Sequence, residues 1–340
     1  MWCGAVRIGR VLAAYVNRLG SPEEIRHGEL PPPRPRSNEV LVNVCATTVN
    51  PVDTFVRSGQ YPTTLSFPFV IGRDLVGVVA EAGADASGFA PGDWVWCNSL
   101  GHDGRQGAAA EQAVVAADRL YHLPEGVAPT AAVAVVHPAA TAWLALFRHG
   151  CFRRGETVLV AGAAGNVGSA LVVLAAEAGA RVLATAARCD LAYTRGLGAA
   201  EAFDYADPRL TEHLRSRCPR GIDVHLDTSG RNDLGTAVEL LAPRGRIVLL
   251  AGARTHPVLP AGALYTKDGS IRGFVISRAT TAELGEVAGA LNRLLPTGRL
   301  RARRTQTLPL PAAAEAHRRM EAGELHGKRL ILDIAGATAP

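Results

Sequence analysis

The chain has 340 residues, 48% hydrophobic and 20% charged, with a net charge of +5. That is ordinary globular composition, long enough for two domains with their own cores. No apolar run approaches the roughly 18–20 residues of a membrane span, and the opening segment lacks a secretory core and cleavage site. The expectation is therefore a cytosolic, cytoplasmic protein with no membrane partner. Six scattered cysteines, none in CxxC spacing, do not form a disulfide framework and are expected to act as small hydrophobes. The basic clusters at 301–304 and 317–319 lack interleaved aromatics. They are expected as solvated faces, with no nucleic acid bound.

Residues 1–9 are expected to be an N-terminal extension. Over 10–140, short runs such as "EVLVNVCATTV", "DLVGVVAEAG" and "GDWVWC" alternate with Gly, Pro and Asp turns, which predicts a mostly β domain. The character then changes. "TVLVAG" (157–162) is a short apolar run of a buried strand, "NVGSALVVLAAEAGA" has helical length, and "RVLATA" is a second buried strand. Parallel strands joined by a helix make a βαβ unit. Further strands are predicted in "IDVHLDTSG" (222–230), "GRIVLLAG" (245–252) and "SIRGFVIS" (270–277), with a helix in "RNDLGTAVELLA". Residues 141–280 thus read as a doubly wound parallel sheet, and the fold class is α/β. The remainder, 281–340, predicts a helix at 281–295, a strand near 303–308, a helix from 311 and a strand in "KRLILDI".

The turn Ala163-Ala164-Gly165-Asn166-Val167-Gly168 is a dinucleotide fingerprint with alanine in the first glycine place. Gly165 admits close approach of a pyrophosphate, and Gly168 allows tight packing of helix on strand. The N–H groups that open the helix face the phosphates. A tight turn that binds nothing has the same pattern. About 20 residues past the glycines, NAD sites carry a ribose-binding carboxylate. Here Ala187 and Arg188 stand in that region. Arg188 suits the 2′-phosphate of NADPH, although Asp190 follows closely.

Together "NPVDTFVRSGQYP" (50–62), "FVIGRDLVGVV" (69–79), "PGDWVW" (91–96), "HPAATAWLAL" (137–146), "AGAAGNVG" (161–168) and "GKRLIL" (327–332) resemble the medium-chain dehydrogenases/reductases. The similarity is to their zinc-free quinone oxidoreductase branch, which includes ζ-crystallin. The resemblance implies a GroES-like catalytic domain over 10–140, completed by the 281–340 segment, and a Rossmann NADPH domain over 141–280. It also implies an active site in the cleft between them, and a homodimer that pairs late strands of the nucleotide domain.

Zinc-dependent relatives hold catalytic zinc through Cys, His and Cys. By the motif frame those places are Asn50, Arg73 and His137, and Cys97 stands alone where structural zinc needs four cysteines. No metal is expected, because the ligands must be lone-pair donors. The expected reaction is hydride transfer from NADPH to a quinone or an α,β-unsaturated carbonyl. The resemblance places Asn50 and Asp53 beside the nicotinamide ribose. An Asn-Pro turn capped by Asp53 is the alternative. Tyr61 matches the proton-donating tyrosine of mitochondrial and polyketide enoyl reductases, and equally suits a pocket wall. The lysine that polyketide enoyl reductases carry after their second strand is absent from "AARCD". Thr141 resembles a nicotinamide contact, or a helix cap. Tyr205 resembles an adenine-ribose contact, or a core tyrosine. His137 is a candidate proton donor or an interior histidine. Ser229, Gly252, Phe274, Ile276 and Lys328 complete the cofactor contacts that the resemblance implies. Two other functions fit the same sequence. One is an enoyl reductase that acts in trans in polyketide or other secondary metabolism. The other is a non-catalytic, crystallin-like NADPH-binding protein.

Overall fold

The structure, a computed structural model, describes residues 9–335. All but the last residue of the expected 1–9 extension, and Cys3 with it, lie outside the described residues. The chain divides into two compact units. One comprises the residues up to His137 together with those from Thr280, and the other is Pro138–Ala279.

The first unit is built on a seven-stranded sheet in which Glu39–Thr48 is the central element. It pairs antiparallel with Leu75–Ala82, with Gln112–Ala116 and with the C-terminal strand Arg329–Asp333. Strand Arg329–Asp333 also pairs parallel with Thr305–Pro309. Val40, Val42 and Val44 pack onto Leu75, Val79, Val95 and Val115, and the intervening Leu41 and Cys45 are buried as well, so this central strand is covered on both faces. A smaller three-stranded sheet carries Val11–Val16 at its centre. Helix Pro51–Ser58 follows the central strand.

The second unit holds a six-stranded parallel sheet in the order Glu201–Asp204, Arg181–Ala186, Thr157–Ala161, Ile222–Asp227, Leu241–Leu249, Ser270–Gly273. This is the 3-2-1-4-5-6 order of a dinucleotide-binding fold. Its direction of winding reverses at Thr157–Ala161, where ligands bind beyond the strand ends. The central strands Thr157–Ala161 and Arg181–Ala186 are near-continuous apolar runs with mostly buried residues, as strands covered on both faces require.

Several elements differ from expectation. The predicted strand 270–277 ends at Gly273, and a short 3-10 turn, Ile276–Arg278, follows. The helix predicted over 231–242 is Leu234–Leu240, and its last apolar residues open the next strand at Leu241. That strand is interior, paired on both sides, so only Ser270–Gly273 forms the edge at that end. Strand Glu201–Asp204 carried no recognised signal, being short and half polar.

Helix Pro129–His149 is long and apolar enough to cross a membrane by length and composition, contrary to the sequence expectation. However, 72% of its most apolar window is buried in the protein. Pro138 lies inside it and has no N–H for the carbonyl one turn back. Arg329 Nε donates to that orphaned Ala134 carbonyl at 3.1 Å.

Candidate active site

In the nucleotide unit, the strand Thr157–Ala161 ends at Gly162, whose φ of +77° belongs to the left-handed region. A Cβ there would stand 2.7 Å from Thr228 Oγ1, and Thr228 itself ties the neighbouring strand end to the Ala161 carbonyl. Ala163 and Ala164 lead to Gly165, which caps helix Asn166–Glu177. A Cβ on Gly168 would press into the Gly162 carbonyl oxygen and stand 2.8 Å from Ala163 Cα, so this glycine is demanded by packing. Gly165 is different. Its φ is −73°, and an added Cβ would meet only the Gly162 oxygen, at 3.3 Å. The fold alone places little demand on that glycine. The N–H groups of Asn166, Val167 and Gly168 open the helix and have no backbone acceptor within it, the arrangement that binds phosphate.

Past the second strand, Arg188 is 90% exposed along its side chain and pairs with Asp204 through Nε to Oδ2 at 3.5 Å. Asp190 is buried and precedes helix Leu191–Gly196, so it does not stand beside Arg188 as a second exposed charge. Tyr205 directly follows Asp204. It is 45% exposed, not the core residue of the alternative reading, and the Arg231 guanidinium lies 4.9 Å above its ring centroid. Ser229 donates through N–H and Oγ to Asp227 Oδ1. Gly252 has φ +85° and closes against the Asn232 side chain, which bridges to the Ala251 carbonyl at 3.0 Å. Phe274 stacks on His149 with ring centroids 4.4 Å apart, and Ile276 is buried. Thr141 lies within helix Pro129–Trp143 and cannot be its cap. The capping alternative is therefore excluded.

In the other unit, Asn50 and Asp53 open helix Pro51–Ser58. The Asn50 N–H donates to Asp53 Oδ2 at 2.7 Å, and the Asp53 N–H donates to the Asn50 carbonyl. Proline at the first helical position completes this start. Both residues also join a buried polar cluster. Asn50 Nδ2 donates to Asp53 Oδ2 and to Asp74 Oδ2, each at 3.2 Å. Thr48 Oγ1 donates to Asp74 at 2.7 Å. Arg329 reaches the Val49 carbonyl, Thr48 Oγ1, Asn50 Oδ1 and Asp74 Oδ2. Burial pushes the Asp53 carboxyl up to about 6, against the pull of Arg73, and Asp74 adds to the rise. Lys328 is half-buried beside Arg329, and its N–H donates to the Leu325 carbonyl.

Arg73 is buried with its Nε 3.9 Å from Asp53 Oδ1. His137 is buried with Nδ1 3.3 Å from the Asn98 carbonyl. Burial, and then Arg73, hold the His137 imidazole down to about 3, so it is neutral. This supports an interior histidine over a proton donor. Asn50, Arg73 and His137 do not fit a zinc ion. Arg73 brings a permanent positive charge and no lone pair, and Asn50 is engaged by carboxylates and a guanidinium.

Tyr61 and His102 are partly buried, with ring centroids 5.6 Å apart and planes tilted by 53°. The two loops that carry them are tied together. The Asp103 N–H donates to Thr63 Oγ1 at 2.8 Å, and the Gly104 N–H donates to the Thr64 carbonyl at 2.9 Å. Arg105 Nη2 stands 3.5 Å from His102 Nδ1, and its Nε donates to the Ser99 carbonyl at 3.0 Å. Burial, then Arg73 and Arg105, hold His102 down to about 4. His102 carried no sequence signal, and Arg329, though it stands in "GKRLIL", was not singled out, because the residues it contacts lie far from it in sequence.

Two family models match the chain: the alcohol dehydrogenase GroES-like domain over residues 36–125 and the zinc-binding dehydrogenase over 166–292. The quinone oxidoreductase of Sus scrofa is 32% identical over 90% of this chain and 92% of its own length. That of Homo sapiens is 31% identical over 94% and 97%. A solved quinone oxidoreductase of Pseudomonas syringae superposes with a TM-score of 0.84 at 26% identity, covering 95% of this chain and all of that one. A mycobacterial protein solved with NADPH gives a TM-score of 0.82 at 27% identity, with the same coverage. The chain belongs to the quinone oxidoreductase branch of the medium-chain dehydrogenases/reductases. It is an oxidoreductase that uses a nicotinamide cofactor and a small-molecule substrate.

Proposed function

We propose that the protein is a zinc-independent, NADPH-dependent reductase of quinones or α,β-unsaturated carbonyls. The observation that carries this is the donor set Asn50, Arg73 and His137, in which a buried guanidinium stands among the side chains. Without a Lewis acid, alcohol oxidation loses its activation. The acceptor must then be one whose negative charge delocalises onto its own oxygen.

A bound nicotinamide supplies the hydride. The N–H groups of Asn166, Val167 and Gly168 hold the pyrophosphate, and Gly165 gives it room. Arg188, exposed where an NAD site has a carboxylate, takes the 2′-phosphate, and Tyr205 flanks the adenosine. Ser229, Gly252, Phe274 and Ile276 line the remaining course of the dinucleotide in this reading, with Thr141. The Tyr61 hydroxyl supplies the proton. Asn50 and Asp53 act as positioning residues that fix the start of the helix before Tyr61. The protein works as a homodimer, a reading supported by exposed Val258, Leu259 and Tyr265 near the edge strand Ser270–Gly273.

The test is NADPH oxidation with a panel of quinones and enones, before and after exhaustive chelation. Turnover that survives chelation is expected. Turnover that tracks stoichiometric zinc contradicts the donor-set argument. Binding of NADPH without turnover of any acceptor identifies a non-catalytic protein.

A further inference from the structure

We propose that His102 is a catalytic residue, the hydrogen-bond donor to the acceptor's carbonyl oxygen, working beside Tyr61. The inference rests on the reductase proposed above and adds a residue to its chemistry. Arginine only donates. Arg105 Nη2 faces His102 Nδ1 at 3.5 Å, which favours Nδ1 as the acceptor and the neutral tautomer with its proton on Nε2. Arg105 is anchored in turn by the Ser99 carbonyl, so the group that faces Nδ1 is a fixed one.

The ring is also held in place. Gly101, Asp103 and Gly104 have φ values of +62°, +55° and +78°, which fold the loop tightly around His102. A Cβ on Gly101 would stand 2.7 Å from the Gly72 oxygen, so this turn sits directly against the segment that carries Arg73. The bonds from Asp103 and Gly104 to Thr63 and Thr64 then fix the histidine loop to the tyrosine loop. Two partly exposed rings, one with a hydroxyl and one with an N–H, are thereby presented side by side. Burial, and then the nearby positive charges of Arg73 and Arg105, keep the imidazole neutral. A neutral imidazole N–H can stabilise a developing oxyanion without giving up its proton.

With an enone the step balances as follows. A bound NADPH would supply the hydride for a new C–H bond at the β-carbon, and the C=C π pair would move so that negative charge reaches the carbonyl oxygen. The enone is reduced and NADPH is oxidised to NADP⁺. His102 Nε2–H holds the enolate oxygen by a hydrogen bond that does not transfer the proton. The Tyr61 O–H bond breaks, its proton forms the α-carbon C–H bond, and the carbonyl re-forms. Solvent returns a proton to the phenolate.

The test compares His102→Leu, which keeps apolar packing against Tyr61 but removes the donor, with His102→Gln, whose amide N–H restores one. The probes are 2-cyclohexen-1-one and 1,4-benzoquinone, each with NADPH. The leucine variant is expected to lower kcat on cyclohexenone about 100-fold, the scale for a lost oxyanion donor, with KM for probe and cofactor changed less than about twofold, the signature of an interaction made in the transition state. The glutamine variant is expected to recover about tenfold or more of that loss. If the leucine variant does not fold, His102→Asn, whose amide is too short to reach the oxygen, takes its place with the same split expected. A leucine variant at full rate, a glutamine variant as slow as leucine, or a loss confined to KM overturns the role of His102. An unmodified protein that reduces neither probe overturns the reductase reading, and this inference with it.

Discussion

Arg188 and Asp190 stand two residues apart and meet opposite fates, one 90% exposed along its side chain and the other buried. The sequence placed both in the region that reads the adenosine ribose and pointed to NADPH through Arg188, with Asp190 weighing against it. With Asp190 turned in, the exposed charge is a guanidinium, which favours a 2′-phosphate. Arg188→Ala is expected to weaken NADPH by roughly 1–3 kcal/mol, the range for a charge-assisted bond, and to leave NADH nearly unchanged. Steady-state kcat/KM for both cofactors checks this, and equal values in the unmodified protein contradict it. A second residue, His317, makes a pH prediction. It is buried in helix Ala313–Glu321, and burial, then Arg57, hold it down to about 3. The unfolded chain binds this proton near pH 6.5 and the fold does not, so its contribution is intact above that pH. It is lost as pH falls from about 6.5 toward 3. Relative to His317→Leu, the natural chain should lose on the order of 2 kcal/mol between pH 7 and 5, read from urea midpoints. A difference between the two chains that stays constant with pH contradicts it. At this scale the sequence showed which residue types suit the chemistry. It could not show that Tyr61 has His102 against its ring, because that pair is made by two loops meeting in space.

At the scale of elements, continuous apolar runs were legible because buried parallel strands need them. Short or mixed elements were not. Glu201–Asp204 takes its place by pairing with Arg181–Ala186, and its own composition does not declare it. The run "AVELLA" continues smoothly from helix into strand, because apolar residues serve both and nothing in it marks the change. The glycine turn was legible as a whole, yet its two main glycines do different work. Gly168→Ala must force the helix off the Gly162–Ala163 turn, at a cost of about 1–3 kcal/mol, as for overpacking elsewhere. Gly165→Ala meets one oxygen at 3.3 Å in an ordinary backbone conformation. It should shift the stability of the cofactor-free protein by less than about 1 kcal/mol while weakening NADPH. Denaturant melts and cofactor titrations on both variants separate the two roles. A Gly165 variant that melts early but binds NADPH normally contradicts the assignment.

For the whole molecule, the C-terminal strand Arg329–Asp333 returns to pair with Thr48, Thr47 and Ala46 of the first unit. Its first residue, Arg329, binds Thr48, Asn50, Asp74 and the Ala134 carbonyl at once. One buried guanidinium thus joins segments far apart in sequence, and no local pattern could have shown it. The opposite problem governs assembly, where the informative surface is what the chain leaves uncovered. The parallel sheet ends at Ser270–Gly273, which among the described residues has a partner on one side only. The segment before it leaves Val258 86% and Tyr265 74% exposed, with Leu259 uncovered as well. An open strand edge beside apolar side chains invites pairing, and a second copy offers the same edge across a two-fold axis. Light scattering at micromolar concentration should therefore give twice the 35.6 kDa chain mass. The double change Val258→Asp and Tyr265→Asp places charge on that surface without touching the sheet's own pairing. It should shift the mass toward a single chain while leaving the melting curve of each chain and its affinity for NADPH largely as they were. A natural protein that scatters as a monomer, or a doubly charged variant that remains a dimer, removes this edge as the interface.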